Sequence, residues 1–274
     1  MVQLPRFLFV AALFGVCLSA QTYESLPNTA YNWWVYSYVV GNGQPIPNCP
    51  LTITTEFVAN SNAHIDSHHP AQRPKSQLRL GSTFPWTNGP LYVQTNSLGY
   101  AQIQSLTPII GQQEGLIGNP QMPGGIAQVH IVNVRYNDIY YVEEKPEWMH
   151  IGATTMHGGS NAYNHWMTTT AAYGIWYAAQ ALIAKNPSQG KIAVNDMSLP
   201  FGGKFDLAVN WAGSHVAHHR GTAVDVRANG AQWSLPSNKV TEFMQECANY
   251  GATTVLHESV GTSNEHVHCQ WPNP

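Results

Sequence analysis

Residues 213–227 read GSHVAHHRGTAVDVR, and they constrain the fold more than any other stretch of the chain. His215, His218 and His219 precede Gly221, and an alternating run follows that carries Asp225. As a strand, TAVDV turns Val224 and Val226 into a core and leaves Ala223 and Asp225 on the other face. Gly221 permits a tight turn ahead of that strand, so His218 folds back beside Asp225. An imidazole and a carboxylate on adjacent backbone segments make half of a metal site. The other half must come from a separate segment, and NEHVHCQW offers one. His266 and His268 are two apart, so on a strand they share a face. Two imidazoles and one carboxylate, with water as fourth ligand, form a catalytic rather than a closed structural zinc site.

The rest of the chain sets the context. Its 274 residues suffice for two domains, and 43% hydrophobic with 11% aromatic residues supplies a substantial core. Only 10% of residues are charged, and 23 Gly with 18 Pro favour strands and turns over long solvated helices. The net charge is −3 and no Lys/Arg cluster occurs, which argues against nucleic acid as a partner. Residues 1–20 read as a secretory signal peptide, with Arg6 ahead of an apolar run from Phe7 and cleavage after Ala20. Val16 is not the small residue that lipid attachment at Cys17 would want. No later stretch is apolar enough for a transmembrane segment, so the mature protein is expected to be secreted or periplasmic. Cys49, Cys247 and Cys269 remain, with Cys247 and Cys269 the expected disulfide and three buried thiols the alternative.

Residues 21–147 read as a β-rich domain. LTITTEFVA alternates in part, PLYVQTNSLGYAQIQSL reads as strand, turn at Asn96–Gly99, strand, and IAQVHIVNVRY and DIYYVEE are β-branched and aromatic. This half resembles the immunoglobulin-like modules of bacterial surface proteins, without a specific motif, so a β-sandwich is expected. Trp33, Trp34 and Tyr36 are expected in its core rather than on a sugar-stacking surface. NAHIDSHHP, with His64, Asp66, His68 and His69, reads as an exposed polar loop rather than a second metal site. Residues 148–274 read as a mixed α+β domain with a small antiparallel sheet. One helix places Ile175, Ala179, Leu182 and Ile183 on a face and stops at Asn186-Pro187. A second carries Val240, Phe243, Met244 and Cys247, with Ser237 as N-cap and Gly251 as terminator. GATTVLHES and EHVHCQW then read as strands.

HHRGTAVD gives the pattern H-x-x-G-x-A-x-D from His218 to Asp225, followed by H-x-H at His266 and His268. This pair of motifs resembles the zinc-dependent family of D-alanyl-D-alanine carboxypeptidases and dipeptidases, murein endopeptidases and the hedgehog signalling domain. The likeness is nearest to the penicillin-insensitive murein endopeptidases, through DMSLPFGG (Asp196–Gly203) and the extra His215, and it covers residues 190–274. It implies that His218, Asp225 and His268 bind Zn2+, that His266 is the general base and that His215 lines the site. It departs from the dipeptidase branch at Val216, where that branch has a serine. That branch takes its base from the position of Glu265, so Glu265 is the other candidate, although strand alternation turns it away from His266 and His268.

The resemblance implies a secreted metallopeptidase that hydrolyses amide bonds in peptidoglycan peptides through a zinc-activated water. Arg220 is either a group that steadies a substrate carboxylate or oxyanion, or a surface arginine. His219 replaces His218 as ligand if the register shifts. Asp196 either fixes an imidazole or caps a turn, and Ser198 reads as structural. His157, Asn164 and His165 belong to a substrate cleft or to a helix-entry loop. The alternative reading is a zinc-binding but inactive cell-wall or glycan recognition protein whose β-sandwich makes the main contact. A third is a His-rich extracellular protein that binds several metals.

Overall fold

The structure is a computed structural model and describes residues 21–37, 44–58, 61, 73–121, 128–151, 164–204 and 216–274. Residues 1–20, with Cys17, and His64, Asp66, His68, His69, His157 and His215 lie outside the described residues. Among the described residues the chain divides into two units, 21–61 with 73–135 and 136–274. The division falls ahead of residue 147 because the strand Ile139–Tyr141 pairs with Trp166–Thr168 of the second unit. No described helix is long and apolar enough to cross a membrane.

The protein is β-rich, with several sheets. The first unit holds β1 (Gln21–Ser25), β2 (Ala30–Tyr36), β3 (Pro50–Phe57), β4 (Gln77–Arg79), β5 (Leu91–Gln94), β6 (Tyr100–Leu106), β7 (Gln112–Pro120) and β8 (Gln128–Val134). One sheet runs β1-β8-β7-β3-β5 and the other β2-β6-β4. Every pairing is antiparallel except β1 with β8. Alternate residues of both sheets meet in one core, including Trp33, Val35, Leu78 and Ile103 from one and Leu51, Ile53, Leu116 and Val132 from the other. The same alternation corrects the expected place of two aromatic residues: Trp33 points inward, whereas Trp34 is 46% exposed and Tyr36 half-buried. The turn at Asn96–Gly99 forms, with the Asn96 side chain accepting from the Leu98 N–H and Gly99 at φ +78°. It joins strands of different sheets, β5 and β6, rather than closing a hairpin.

A polar network crosses this core. The Glu114 carboxylate, 1% exposed, accepts from the Ser76 N–H, the Ser76 hydroxyl and Gln112 Nε2. Gln112 in turn accepts from Arg73 Nε at 2.7 Å. Burial pushes the Glu114 carboxyl above its usual range, and the hydrogen bonds from Ser76 and Gln112 offset this only in part.

The second unit holds β9 (Ile139–Tyr141), β10 (Trp148–His150), β11 (Trp166–Thr168), α1 (Thr169–Lys185), β12 (Ile192–Val194), β13 (Ala223–Arg227), α2 (Val240–Asn249), β14 (Thr254–Glu258) and β15 (His266–Gln270). Its main sheet runs β10-β12-β13-β15-β14, antiparallel from β12 onward. Val224, Val226, Val267 and Cys269 face a core shared with Ile175, Ala179 and Leu182 of α1 and Phe243 and Cys247 of α2. Thr168 caps α1 through its hydroxyl. Ser237 is not the cap of α2: residues 237–239 form a 3-10 turn, and the helix starts after it. Gly174 lets α1 close onto Trp271, because a Cβ there would lie 2.0 Å from Trp271 Nε1. Cys247 and Cys269, the expected disulfide, stand as buried free thiols. Burial, followed by the hydrogen bond with Cys247, raises the Cys269 thiol well above its usual range.

Candidate metal centre

The helices pack on one face of the sheet, and the candidate residues lie on the opposite face. Strand alternation puts Asp225 there on β13, and His266 and His268 there on β15. The ladder pairs Asp225 directly with His268 and Arg227 with His266. His218 arrives from a 3-10 turn at Val216–Arg220, and Gly221 at φ +69° reverses the chain into β13. The sequence therefore assembles this corner by a local device, a turn and a strand that share a glycine.

The donor atoms of His218, Asp225 and His268 all lie within 4.8 Å of one another, and all three residues are buried. Asp225 Oδ1 is 2.8 Å from His268 Nδ1 and 3.3 Å from His218 Nε2. Ligand atoms each about 2 Å from one ion lie about 3.3 Å apart at the tetrahedral angle. The donor set, two imidazole nitrogens and a carboxylate oxygen, therefore fits a divalent cation such as zinc in size and chemistry. His219 is buried beside His218 but is not in the cluster.

Charges at this centre lean on one another. Burial alone would raise the Asp225 carboxyl, but the charge and hydrogen bond of His218, with further help from His268 and His266, pull it far below its usual range. Burial alone would lower His218; the Asp225 charge and hydrogen bond, then Asp196 and the Met197 backbone, leave it raised.

The DMSLPFGG segment wraps this corner. The Asn195 N–H donates to the Asp225 carbonyl, while the Asp225 N–H donates to the Asp196 carbonyl, so two residues face one in a bulge. Asp196 Oδ1 accepts from Asn164 Nδ2 at 2.9 Å, which ties residue 164 to the centre from behind. The Gly203 N–H donates to the His219 carbonyl, and a Cβ on Gly202 would lie 2.5 Å from that oxygen. These glycines are needed because the segment touches the backbone of the histidine turn. Ser198 is fully buried, its backbone paired with Trp166.

The remaining candidates separate. His266 Nδ1 donates to the Asn264 carbonyl at 2.6 Å, and its Nε2 is 3.2 Å from Glu258 Oε2 and 3.7 Å from Asp225 Oδ2. Glu265 turns away: its carboxylate takes the Gly261 N–H at 3.0 Å and faces His257 Nε2 at 2.8 Å. The Gly261 N–H first, then His257, hold that carboxyl below its usual range. Arg220 is exposed, its guanidinium 6.0 Å from the Tyr136 ring. His165 is buried and stacks on His150 with ring centroids 3.9 Å apart. Burial and the neighbouring His165 lower His150 to about 3. Glu258 was missed by sequence reasoning; its signal is an eight-residue spacing to His266 across the β14–β15 connection, where the two residues pair.

No family model matches the chain, and no curated protein matches it.

Proposed function

We propose that the second unit is a zinc-dependent peptidase that hydrolyses amide bonds in the stem or cross-link peptides of peptidoglycan, in a secreted or periplasmic protein. The observation that carries the reading is the convergence of His218, Asp225 and His268 from two distant segments onto one buried point. The substrate class rests on the resemblance of the two histidine motifs to murein endopeptidases. His218 and His268, with Asp225 between them, would hold the ion. A zinc ion held there would supply a Lewis acid for the scissile carbonyl and a water acidic enough to act near neutral pH. His266 is the base: its Nδ1–H is committed to the Asn264 carbonyl, so Nε2 is the nitrogen that takes a proton and returns it to the leaving amine. Glu258 Oε2, 3.2 Å from that same Nε2, stabilises the imidazolium once the proton is taken, and Glu265 belongs to the turn. The first unit reads as an immunoglobulin-like sandwich, supported by two sheets around one core.

The test is elemental analysis of the purified protein together with muropeptide digestion. About one zinc per chain and cleavage that disappears on chelation and returns with zinc are expected. A chain that binds no divalent metal sinks the reading. One zinc without turnover on any muropeptide leaves the second reading, a metal-binding recognition protein, which the exposed aromatic face of the first unit favours.

A further inference from the structure

We propose that the solvent face of the three-stranded sheet β2-β6-β4 binds a neutral chain of pyranose sugars. The buried and exposed residues of β2 and β6 alternate strictly, so the outward set is defined by the backbone. Asn32, Trp34 and Tyr36 of β2 stand opposite Gln104, Gln102 and Tyr100 of β6, and Arg79 of β4 stands opposite Gln104.

One end of this face is aromatic. The Trp34 and Tyr100 rings meet edge to face at 4.9 Å, and Tyr36 lies 5.8 Å from Tyr100. Trp34 remains 46% exposed. The other end is a ladder of amides that ends on a guanidinium. Gln104 Nε2 donates to Asn32 Oδ1 at 2.9 Å, and Arg79 Nε donates to Gln104 Oε1 at 2.7 Å. The Arg79 guanidinium lies 4.0 Å above the Trp86 ring. The two ends are about 13 Å apart along the strands, room for a few sugar rings.

The chemistry selects the occupant. Ring faces next to water lose free energy that an apolar partner recovers. The partner must also meet fixed, neutral donors and acceptors a few ångströms away. A pyranose chain has both, apolar C–H faces and a fringe of hydroxyls. The face complements an uncharged chain: no carboxylate stands among these residues, and its cation is already engaged by Gln104 and Trp86.

Titrating the full chain with hydroxyethyl cellulose and with the N-acetylglucosamine hexamer, by affinity electrophoresis and calorimetry, tests this. Binding to at least one probe is expected, unchanged by chelation, which separates it from the metal reading. Trp34→Ala and Tyr100→Ala should each weaken it about tenfold or more. Gln102→Ala, an exposed change without bearing on the core, should weaken it less but measurably; unfolding midpoints serve as the control for folding. Absence of binding to both probes overturns the proposal, as does binding that none of the three variants weakens. So does a wild-type dimer in sedimentation that Trp34→Ala disperses, since the face would then join two copies.

Discussion

Asp225 Oδ1 and His268 Nδ1 lie 2.8 Å apart because the two residues are direct partners in the β13–β15 ladder. Their meeting is therefore a matter of strand register, and the same carboxylate oxygen also lies 3.3 Å from His218 Nε2. Asp225→Ala should lose zinc outright, measured by metal content after dialysis. Asp225→Asn keeps the shape but removes the charge that raises His218. In the metal-free protein it should cost about 3 kcal/mol, as removal of one partner of a buried pair does.

The two base candidates are separable by the same metal measurement paired with turnover. His266→Ala should retain zinc and lose at least about a hundredfold in muropeptide cleavage. Glu265→Gln should retain both, because that carboxylate is occupied by Gly261 and His257. Glu258→Gln should fall between, with kcat reduced and zinc unchanged, since it touches His266 and not the ligand set. An active His266→Ala enzyme would hand the base role to another group.

Glu114 gives the first unit a pH dependence of its own. Burial raises its carboxyl above the ordinary glutamate value of ~4.3, so the folded chain holds this proton more tightly than the unfolded one. The group's stabilising contribution is complete below ~4.3 and declines as pH rises through the folded-state value. Glu114→Gln should flatten that decline. Its carbonyl can still accept from the Ser76 N–H and Gln112, and its amide can donate to the Ser76 hydroxyl. Urea unfolding of both proteins between about pH 4.5 and 8 checks this; parallel curves would show that Glu114 is not the source.

Gly174 tests how closely α1 seats on the sheet. Alanine is a better helix former by about 1 kcal/mol, so an unhindered site would be stabilised. Here the new methyl would sit 2.0 Å from the indole nitrogen of Trp271, which also donates to the Tyr250 carbonyl. The clash should win, with a net loss of about 1–3 kcal/mol in thermal unfolding.

What the sequence made legible at the site was local. Val224 and Val226 alternate with Asp225, and Gly221 lets His218 return to it, so this half could be read within eight consecutive residues. H-x-H gave the shared face of His266 and His268 for the same reason. Glu258 was not legible, because its pairing with His266 depends on the 259–265 connection, whose Ser259 and Gly261 take positive φ. The strands flanking Asn96–Gly99 could be read, but their partners could not; which sheet a strand joins is decided by distant segments. The 3-10 turn ahead of α2 is local by contrast: the Lys239 N–H donates to the Pro236 carbonyl and its Nζ to Glu242, and the helix starts past Ser237. Adjacent tryptophans carry a further signal: on a strand only one of Trp33 and Trp34 can face inward.

Gly202 links the glycine pair of DMSLPFGG to the turn that carries His218, a proposed metal ligand, and alanine there asks whether that link matters. Its φ of +69° makes any side chain strained, and its Cβ would press within 2.5 Å of the His219 carbonyl, a backbone atom one residue from His218. The turn bearing His218 must then shift. Gly230 supplies the control, with φ +76° and nothing within 4 Å of where a Cβ would stand, so Gly230→Ala carries the backbone strain alone. Gly230→Ala should lose about 1 kcal/mol and leave zinc affinity unchanged. Gly202→Ala should lose more stability and weaken zinc about 10- to 100-fold, the range for groups that orient ligands, in competition titrations with a chromophoric chelator. If the two variants bind zinc alike, the segment from Asp196 to Gly203 supports the fold without positioning the metal site.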